Sequence, residues 1–407
     1  MIDRETISRL CELAEPEVIQ WRHHLHRHPE LSFQEFETTA FIEKKLQSFG
    51  GFELWRPTPT GVVAILRGSR PGKVLAYRAD IDALPIIEST ENDPCSERQG
   101  VMHACGHDGH TAALLGIAKI LSSLKEQLSG EYRLLFQPAE ELPPGGAKAF
   151  VEAGVLDGVD MIFGMHLHPS LPAGVFAVAP GPQYATAYNF DIWIRGRGAH
   201  AAFPHLGADS VLAAAALIME LNTIVSRSLD SGKRSVLTVT KLEGGNSYNS
   251  MPEEVRLGGT IRTLDEDAGA LLAERVRTVS EHVCASHQTT CQVDIKQGYP
   301  ILKNDLQAAA LVAQTLRENF GEERVLCADA VLGGEDFATY LQKVPGCFFK
   351  AGSIKRKPDG TAYPTHQSRH EMNDKALRYA MEAGLAVLFR AAGQAYADQT
   401  ERGNSSV

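Results

Sequence analysis

RLLFQPAEELPPGGAKAFVEAG, residues 133–154, reads as a strand, a break and a helix. The apolar run Leu134–Phe136 stops at Pro138, which has no N–H to extend a ladder, so it is a buried strand with a hard end. Two adjacent acids, Glu140 and Glu141, follow, and a Gly-Gly step leads into the helical pattern AKAFVEA. The neighbouring segments repeat this alternation. VVAILRG (62–68), KVLAYRAD (73–80) and MIFGMHL (161–167) are strand-like, and GHTAALLGIAKILSSLKEQL (109–128) is helical. Strands alternating with helices imply an α/β fold with a central mixed sheet covered by helices on both faces. In such sheets chemistry gathers beyond the strand ends, and YRADID, FQPAEE and FGMHLH each put acids or histidines where an apolar run stops.

The order changes after GPQY (181–184). YNFDIWIRG is an alternating strand and ADSVLAAAALIMELNTIVSRSL one long helix. SVLTVTKLEGG and EEVRLGGTIRT are two strands, DEDAGALLAERVRTVSEHVCASH a helix and CQVDIKQGY a strand. That is βαββαβ, the ferredoxin-like order. From YPILKND onward helix, strand and helix return in DLQAAALVAQTLRENFG, CFFKAGS and KALRYAMEAGLAVLFRAAGQAY. The expected architecture is a main domain of residues 1–183 and 299–407, interrupted by an α+β satellite domain at 184–298. At the N-terminus a helix running through Trp21 ends before Pro29. Ser32 and Glu35 form a capping box for a second helix that closes at Gly50 and Gly51.

A chain of 407 residues is too long for one ordinary core, which agrees with two domains. A net charge of -10 without clustered Lys and Arg argues against nucleic acid. No apolar run approaches the roughly 18 residues of a membrane span, and the start is not a basic-then-apolar leader, so no membrane partner is expected and the cytoplasm is the default location. QTERGNSSV reads as a solvated tail. Seven cysteines, odd in number and not framed by short loops, do not make a disulfide scaffold. Six read as buried or half-buried thiols, whereas Cys105 sits among histidines.

MHACGHDGHTAALLG (102–116) is either a metal site or a polar helix entrance, and it needs further ligands from elsewhere. His24 and His28, four residues apart without accompanying carboxylates, read as structural. Side chains of adjacent residues diverge on extended backbone, so one carboxylate of Glu140–Glu141 can bind a metal while the other faces a water. Two exposed loop acids are the bland alternative. His166 ends a strand and His366 lies in the loop YPTHQSRHEMND. With Cys105, His107 and a glutamate they make a five-ligand N, S, O set, about what two divalent ions sharing a bridging group require. A bridging thiolate disfavours magnesium and suits Zn or Mn, with Ni or Co as alternatives.

The ordered series HRHPELSFQEFET, YRADIDALP, HACGHDGHTA, FQPAEE with GGAKAFVEAG, GMHLHP, GRGAHAAFPH, NSMPEEVRLGGTIRT and GGEDFATY resembles the M20 metallopeptidase clan. The likeness is to its amidohydrolase branch of aminoacylases, hippurate hydrolases and indole-acetyl-amino-acid hydrolases. It extends from about residue 20 to 375. The resemblance implies that Cys105, His107, Glu141, His166 and His366 hold two metals, with Glu140 as general base. It further implies that His200 polarises the scissile carbonyl while Asn249 and Arg262 hold the substrate carboxylate. His103, His110 and His168 are left with structural or ligand-orienting roles. Other branches carry His-x-Asp where this chain has Asp80-Ile81-Asp82. Asp80 is therefore not expected to be a direct ligand, and Asp82 either orients a histidine or is structural. Glu335 and Asp336 resemble the family's acidic loop and could equally cap a helix.

The implied activity is metal-dependent hydrolysis of N-acyl-L-amino acids of N-acetyl or N-benzoyl type, in a homodimer or higher homo-oligomer. A dipeptidase or carboxypeptidase of the same clan is the alternative. A noncatalytic metal- or ligand-binding protein, or a purely structural zinc site, is disfavoured because the extra Glu140 remains beside the ligands.

Overall fold

A computed structural model describes residues 2–393 of the protein; the tail QTERGNSSV and the final QAY of the last helical stretch lie outside them. The chain forms two compact units. One comprises the described residues up to Gly181, Lys303–Asp329 and those from Asp336 onward; the other comprises Pro182–Leu302 and Ala330–Glu335. The second unit thus takes in a short later segment as well as the inserted stretch. Backbone bonds from Val331 N to Gln183 O and from Ala185 N to Gly333 O bind that segment into it.

Helices α1 (Arg4–Arg27) and α2 (Phe36–Phe49) precede β1 (Phe52–Trp55), β2 (Val62–Arg67), β3 (Arg70–Asp80) and α3 (His107–Ser123). Next come β4 (Ser129–Gln137), α4 (Gly146–Glu152), β5 (Met161–His168), β6 (Phe176–Val178) and β7 (Gly181–Tyr184). The inserted stretch runs β8 (Thr186–Arg195), β9 (Ala199–His200), α5 (Ser210–Leu221), α6 (Ile224–Ser228), β10 (Ser235–Glu243), β11 (Ser250–Met251), β12 (Glu254–Thr263), α7 (Glu266–Ser286) and β13 (Thr290–Gln297). The chain ends through β14 (Leu302–Asn304), α8 (Leu306–Phe320), β15 (Val325–Cys327), α9 (Ala338–Leu341), β16 (Gly346–Gly352) and α10 (Lys375–Ala391).

The first unit is built on a mixed sheet of order β1-β2-β4-β3-β5-β16-β6-β15. Its centre, β4-β3-β5-β16, is parallel, so these strands deliver their C-terminal ends to one edge. Asp80 lies opposite Gln137 in that register. Strand alternation sends neighbouring residues to opposite faces. Tyr77 lies against Gly384 of α10, whereas Arg78 sits near the Phe337 ring just before α9. Helices therefore cover both faces. The second unit is a four-stranded antiparallel sheet of order β10-β12-β8-β13, the pairing that a βαββαβ chain makes in the ferredoxin-like arrangement.

Three local expectations are corrected. Ser32 does not cap α2. Its hydroxyl donates to Asp82 Oδ2 at 2.7 Å, Glu35 accepts from Ala139 N at 2.8 Å, and the α2 amide of Thr38 is taken by Glu30. Tertiary partners outcompete the local box. The helix expected over 208–229 breaks into α5 and α6 at Asn222–Thr223, where the Asn222 side-chain amide and Thr223 hydroxyl donate to the carbonyls of Ile218 and Glu220 alongside the backbone N–H groups of the same residues. Of the six cysteines read as buried or half-buried, Cys327 is exposed, since it ends β15 at the sheet's rim.

Gly146, the first residue of α4, is required by packing rather than by dihedral freedom. A Cβ there would stand 2.0 Å from the carbonyl oxygen of Pro138. Gly146→Ala is expected to lower stability by about 1–3 kcal/mol through the forced backbone shift. Urea unfolding measures it, and unchanged stability would mean the α4 start and the Pro138 turn are not in contact.

Candidate metal centre

The turn from loop to α3 brings Cys105 and His107 together. Gly106 adopts φ 85°, a left-handed conformation that lets the chain enter the helix one residue after the thiol. The ligand atoms of Cys105, His107 and His166 lie within 4.8 Å of one another, and so do those of Cys105, Glu141 and His366. The Cys105 sulfur thus belongs to both groups, and Glu140 joins a third with His107 and Glu141. All five residues read as ligands from the sequence, together with the adjacent acid, meet inside the first unit.

Second contacts aim the rings of His107 and His166 and fix the backbone at Glu141 and His366. His107 Nδ1 lies 3.0 Å from Asp82 O and 3.2 Å from Asp82 Oδ1, which turns Nε2 toward the cluster. The other Asp82 oxygen accepts from Glu141 N at 3.0 Å, so one carboxylate ties two of the ligands. His166 Nδ1 faces its neighbour Leu167 O at 2.8 Å, leaving Nε2 3.4 Å from Cys105 Sγ. His366 takes φ 62° and its N–H donates to Ala104 O at 2.8 Å. Its Nε2 is 3.3 Å from Glu141 Oε1. Ala139, just before the acidic pair, also has a positive φ of 55°. A left-handed non-glycine residue costs roughly 1–2 kcal/mol. The carboxylate of Glu35 and the amide of Gly146 hold Ala139 in place through its N–H and carbonyl.

The electrostatics favour a cation. Burial and the carboxylates of Glu141, Glu140 and Asp80 push the Cys105 thiol well above its ordinary value. Burial alone would lower His107, yet Asp80 and Asp82 outweigh it and lift the imidazole to about 10. Asp82 is drawn the other way: its hydrogen bonds to His107, Glu141 N and Ser32 overcome burial and bring it below the usual carboxylate range. His107 Nε2 is buried without a hydrogen-bond partner among the described residues; Glu141 Oε1, 3.9 Å from it, faces the His366 ring. An orphaned buried atom such as His107 Nε2 costs about 1–3 kcal/mol unless something else binds it. A thiolate, imidazoles and a carboxylate converging on shared points suit divalent ions of borderline softness.

A sequence profile of Peptidase family M20/M25/M40 matches residues 76–392. The chain belongs to this family. N-acyl-L-amino acid amidohydrolase of Geobacillus stearothermophilus is 46% identical to it over 303 residues, covering 74% of this chain and 82% of the relative. Thermostable carboxypeptidase 1 of Saccharolobus solfataricus is 38% identical over 377 residues, covering 91% and 95%. The crystal structure of a dinuclear metal-binding M20 peptidase from Bacillus subtilis superimposes with a TM-score of 0.80 at 35% identity, covering 94% of this chain and 99% of that one. This M20 chain is accordingly a hydrolase, and the amidohydrolase relative supports action on acyl-amino acids.

The remaining site residues of the M20 chain divide between its units. In the second, β9 pairs with β11 so that His200 lies opposite Ser250, and Ala201 N donates to Asn249 O at 3.0 Å. His200 and Asn249 are therefore neighbours, both exposed. Arg262 is not beside them. It lies opposite Ala187 near the far end of β12, with Nη1 donating to Leu332 O at 3.3 Å. The strand from Glu254 to Arg262 spans roughly 25 Å.

In the first unit His110 is held by Asp80 and by Leu167 N, and His168 by Ser170, as structural readings expect. His103 is buried with neither nitrogen hydrogen-bonded among the described residues, and burial pushes it down to about 4. Asp336 caps not α9, which follows it, but α4: it accepts from Ala147 N in the first turn of that helix, and also from Arg78 and Gln137. Arg78 and Gln137 escaped notice in the sequence. The available signal was a charge inside the apolar strand KVLAYRAD, since a buried Arg requires partners.

Asp82→Ala is expected to weaken metal binding about 10- to 100-fold, the usual effect of losing a carboxylate behind a histidine ligand. Metal content after dialysis against graded chelator measures this, and native retention would show that Asp82 does not orient His107.

Proposed function

We propose that the protein hydrolyses the amide bond of N-acyl-L-amino acids, with two divalent ions, Zn or Mn before Ni or Co, held by Cys105, His107, Glu141, His166 and His366. The observation that carries the reading is the single sulfur of Cys105 shared by two ligand groups with Glu140 alongside. When bound, such ions supply Lewis acidity that polarises a carbonyl and acidifies water. Glu140 takes the proton from the attacking water and returns it to the departing amine, the two halves of general base and general acid work. His200 stabilises the charge that develops on the carbonyl oxygen, and Arg262 with Asn249 holds the substrate carboxylate through charge-assisted hydrogen bonds.

Glu140→Gln should lower turnover by about a hundred- to ten-thousandfold while leaving metal content intact. Steady-state kinetics beside elemental analysis tests this, and near-native rates would remove Glu140 as the base. The carboxypeptidase relative favours a second reading, cleavage of peptides at a C-terminal residue. N-acetyl-, N-benzoyl- and aminoacyl-amino acids, assayed with and without chelator, separate the two.

Arg262 lies roughly 25 Å along β12 from Glu254, the end that follows β11 and Asn249, and this supports a homodimer, because a small substrate that meets both ends needs two copies of the second unit. Helix α5 turns Leu212 and Met219 outward, 56% and 71% exposed, and β10 is an edge strand of its sheet. An exposed apolar stripe beside an open edge suits pairing with another copy. Mixed His200→Ala and Glu140→Gln subunits are expected to recover activity that neither variant has alone. No recovery would confine His200 to its own copy.

A further inference from the structure

Arg78 has no exposed side-chain surface, and its partners sit on segments that lead to the candidate ligands. Nη1 donates to Asp80 Oδ2 at 2.6 Å, Nη2 to Asp336 Oδ1 at 2.7 Å and Nε to Gln137 Oε1 at 2.8 Å. Gln137 Nε2 closes the ring by donating to Asp336 Oδ2 at 2.7 Å, and Tyr340 Oη donates to Gln137 Oε1 at 3.1 Å. The second oxygen of Asp80 is 2.5 Å from His110 Nδ1.

Asp80 Oδ2, the oxygen that Arg78 grips, is only 3.6 Å from His107 Nε2. That separation fits two atoms bound to one ion, because ligands about 2.1 Å from a tetrahedral metal stand roughly 3.4 Å apart. By distance Asp80 is as well placed to share an ion with His107 as Glu141 is, whose oxygen lies at 3.9 Å. The guanidinium distinguishes them. We infer that Arg78 is a positioning residue that withholds Asp80 from the metal centre, so that this carboxylate, 3.6 Å from His107 Nε2, stays outside the ligand set.

This rests on the metal reading of the five residues. An ion that captured Asp80 would have to draw it from a buried guanidinium, leaving that charge short of a partner where water cannot replace it. Arginine suits the task because it does not deprotonate and its fork holds several acceptors in one plane. Keeping a sixth protein ligand away preserves the open position that distinguishes a catalytic site from a structural one.

The test is the visible spectrum of Co²⁺ added to metal-depleted protein, with thiolate-to-cobalt absorption reporting Cys105. Native protein and Asp80→Asn are expected to share band positions, because Asp80 contributes no bond. Arg78→Met is expected to shift the bands and tighten Co²⁺ binding about tenfold or more, within the range that residues behind the ligands command. Arg78→Met/Asp80→Asn, which restores the charge balance, should return to native bands. Shifted bands in Asp80→Asn would overturn the inference by making Asp80 a ligand already, and that result is decisive even if Arg78→Met does not fold. Native bands in a folded Arg78→Met would overturn it as well. If native protein takes up Co²⁺ without thiolate absorption, the ligand reading itself fails, a different result from either.

Discussion

A guanidinium removed from water must be surrounded by acceptors, and this requirement at Arg78 organises the edge of the main sheet. Its hydrogen bonds reach Asp80 at the end of β3, Gln137 at the end of β4 and Asp336 just before α9. Leu167 near the end of β5 joins through His110 and Asp80. Three parallel strands are thus registered at their C-terminal ends by polar bonds as well as by ladder pairing. The segments carrying His107, Glu140, Glu141 and His166 start from that edge. Breaking one member of such a buried network leaves the others uncompensated, which is why it acts as a unit.

Above this edge the site accumulates negative charge. Asp80, Asp82, Glu140 and Glu141 crowd a buried thiol and two inward-facing imidazoles; burial, then Glu141, Glu140 and Asp80, raise the Cys105 thiol, and Asp80 and Asp82 raise the His107 imidazole against burial. Asp80 has its counter-charge in Arg78, whereas His107 Nε2, facing the cluster, has no hydrogen-bond partner among the described residues. The left-handed backbones at Ala139 and His366 persist, since strain is tolerated where surrounding bonds over-determine it.

Periodicity and punctuation made much of this legible. Apolar runs ending at Pro138, at Asp80 and at His166 announced strands whose ends carry chemistry, and the βαββαβ run after Tyr184 announced a second sheet. Local capping was less legible: Ser32 and Glu35 have the spacing of a box, yet Asp82 and Ala139 took their hydrogen-bonding groups. The return of 330–335 to the second unit has no composition of its own to mark it.

The sequence by itself determined the main strands and helices and which residue types stand at strand ends, because both follow from local steric preference and the separation of apolar from polar positions. Tertiary structure alone decided which carboxylate faces which partner. Asp80 and Asp82 are two residues apart and chemically identical, but Arg78 and His110 hold one while the other aims His107. It also decided that Asn249 neighbours His200 while Arg262 lies a strand's length away. These assignments depend on distances across the fold, where a charge settles on the nearest group able to replace its water.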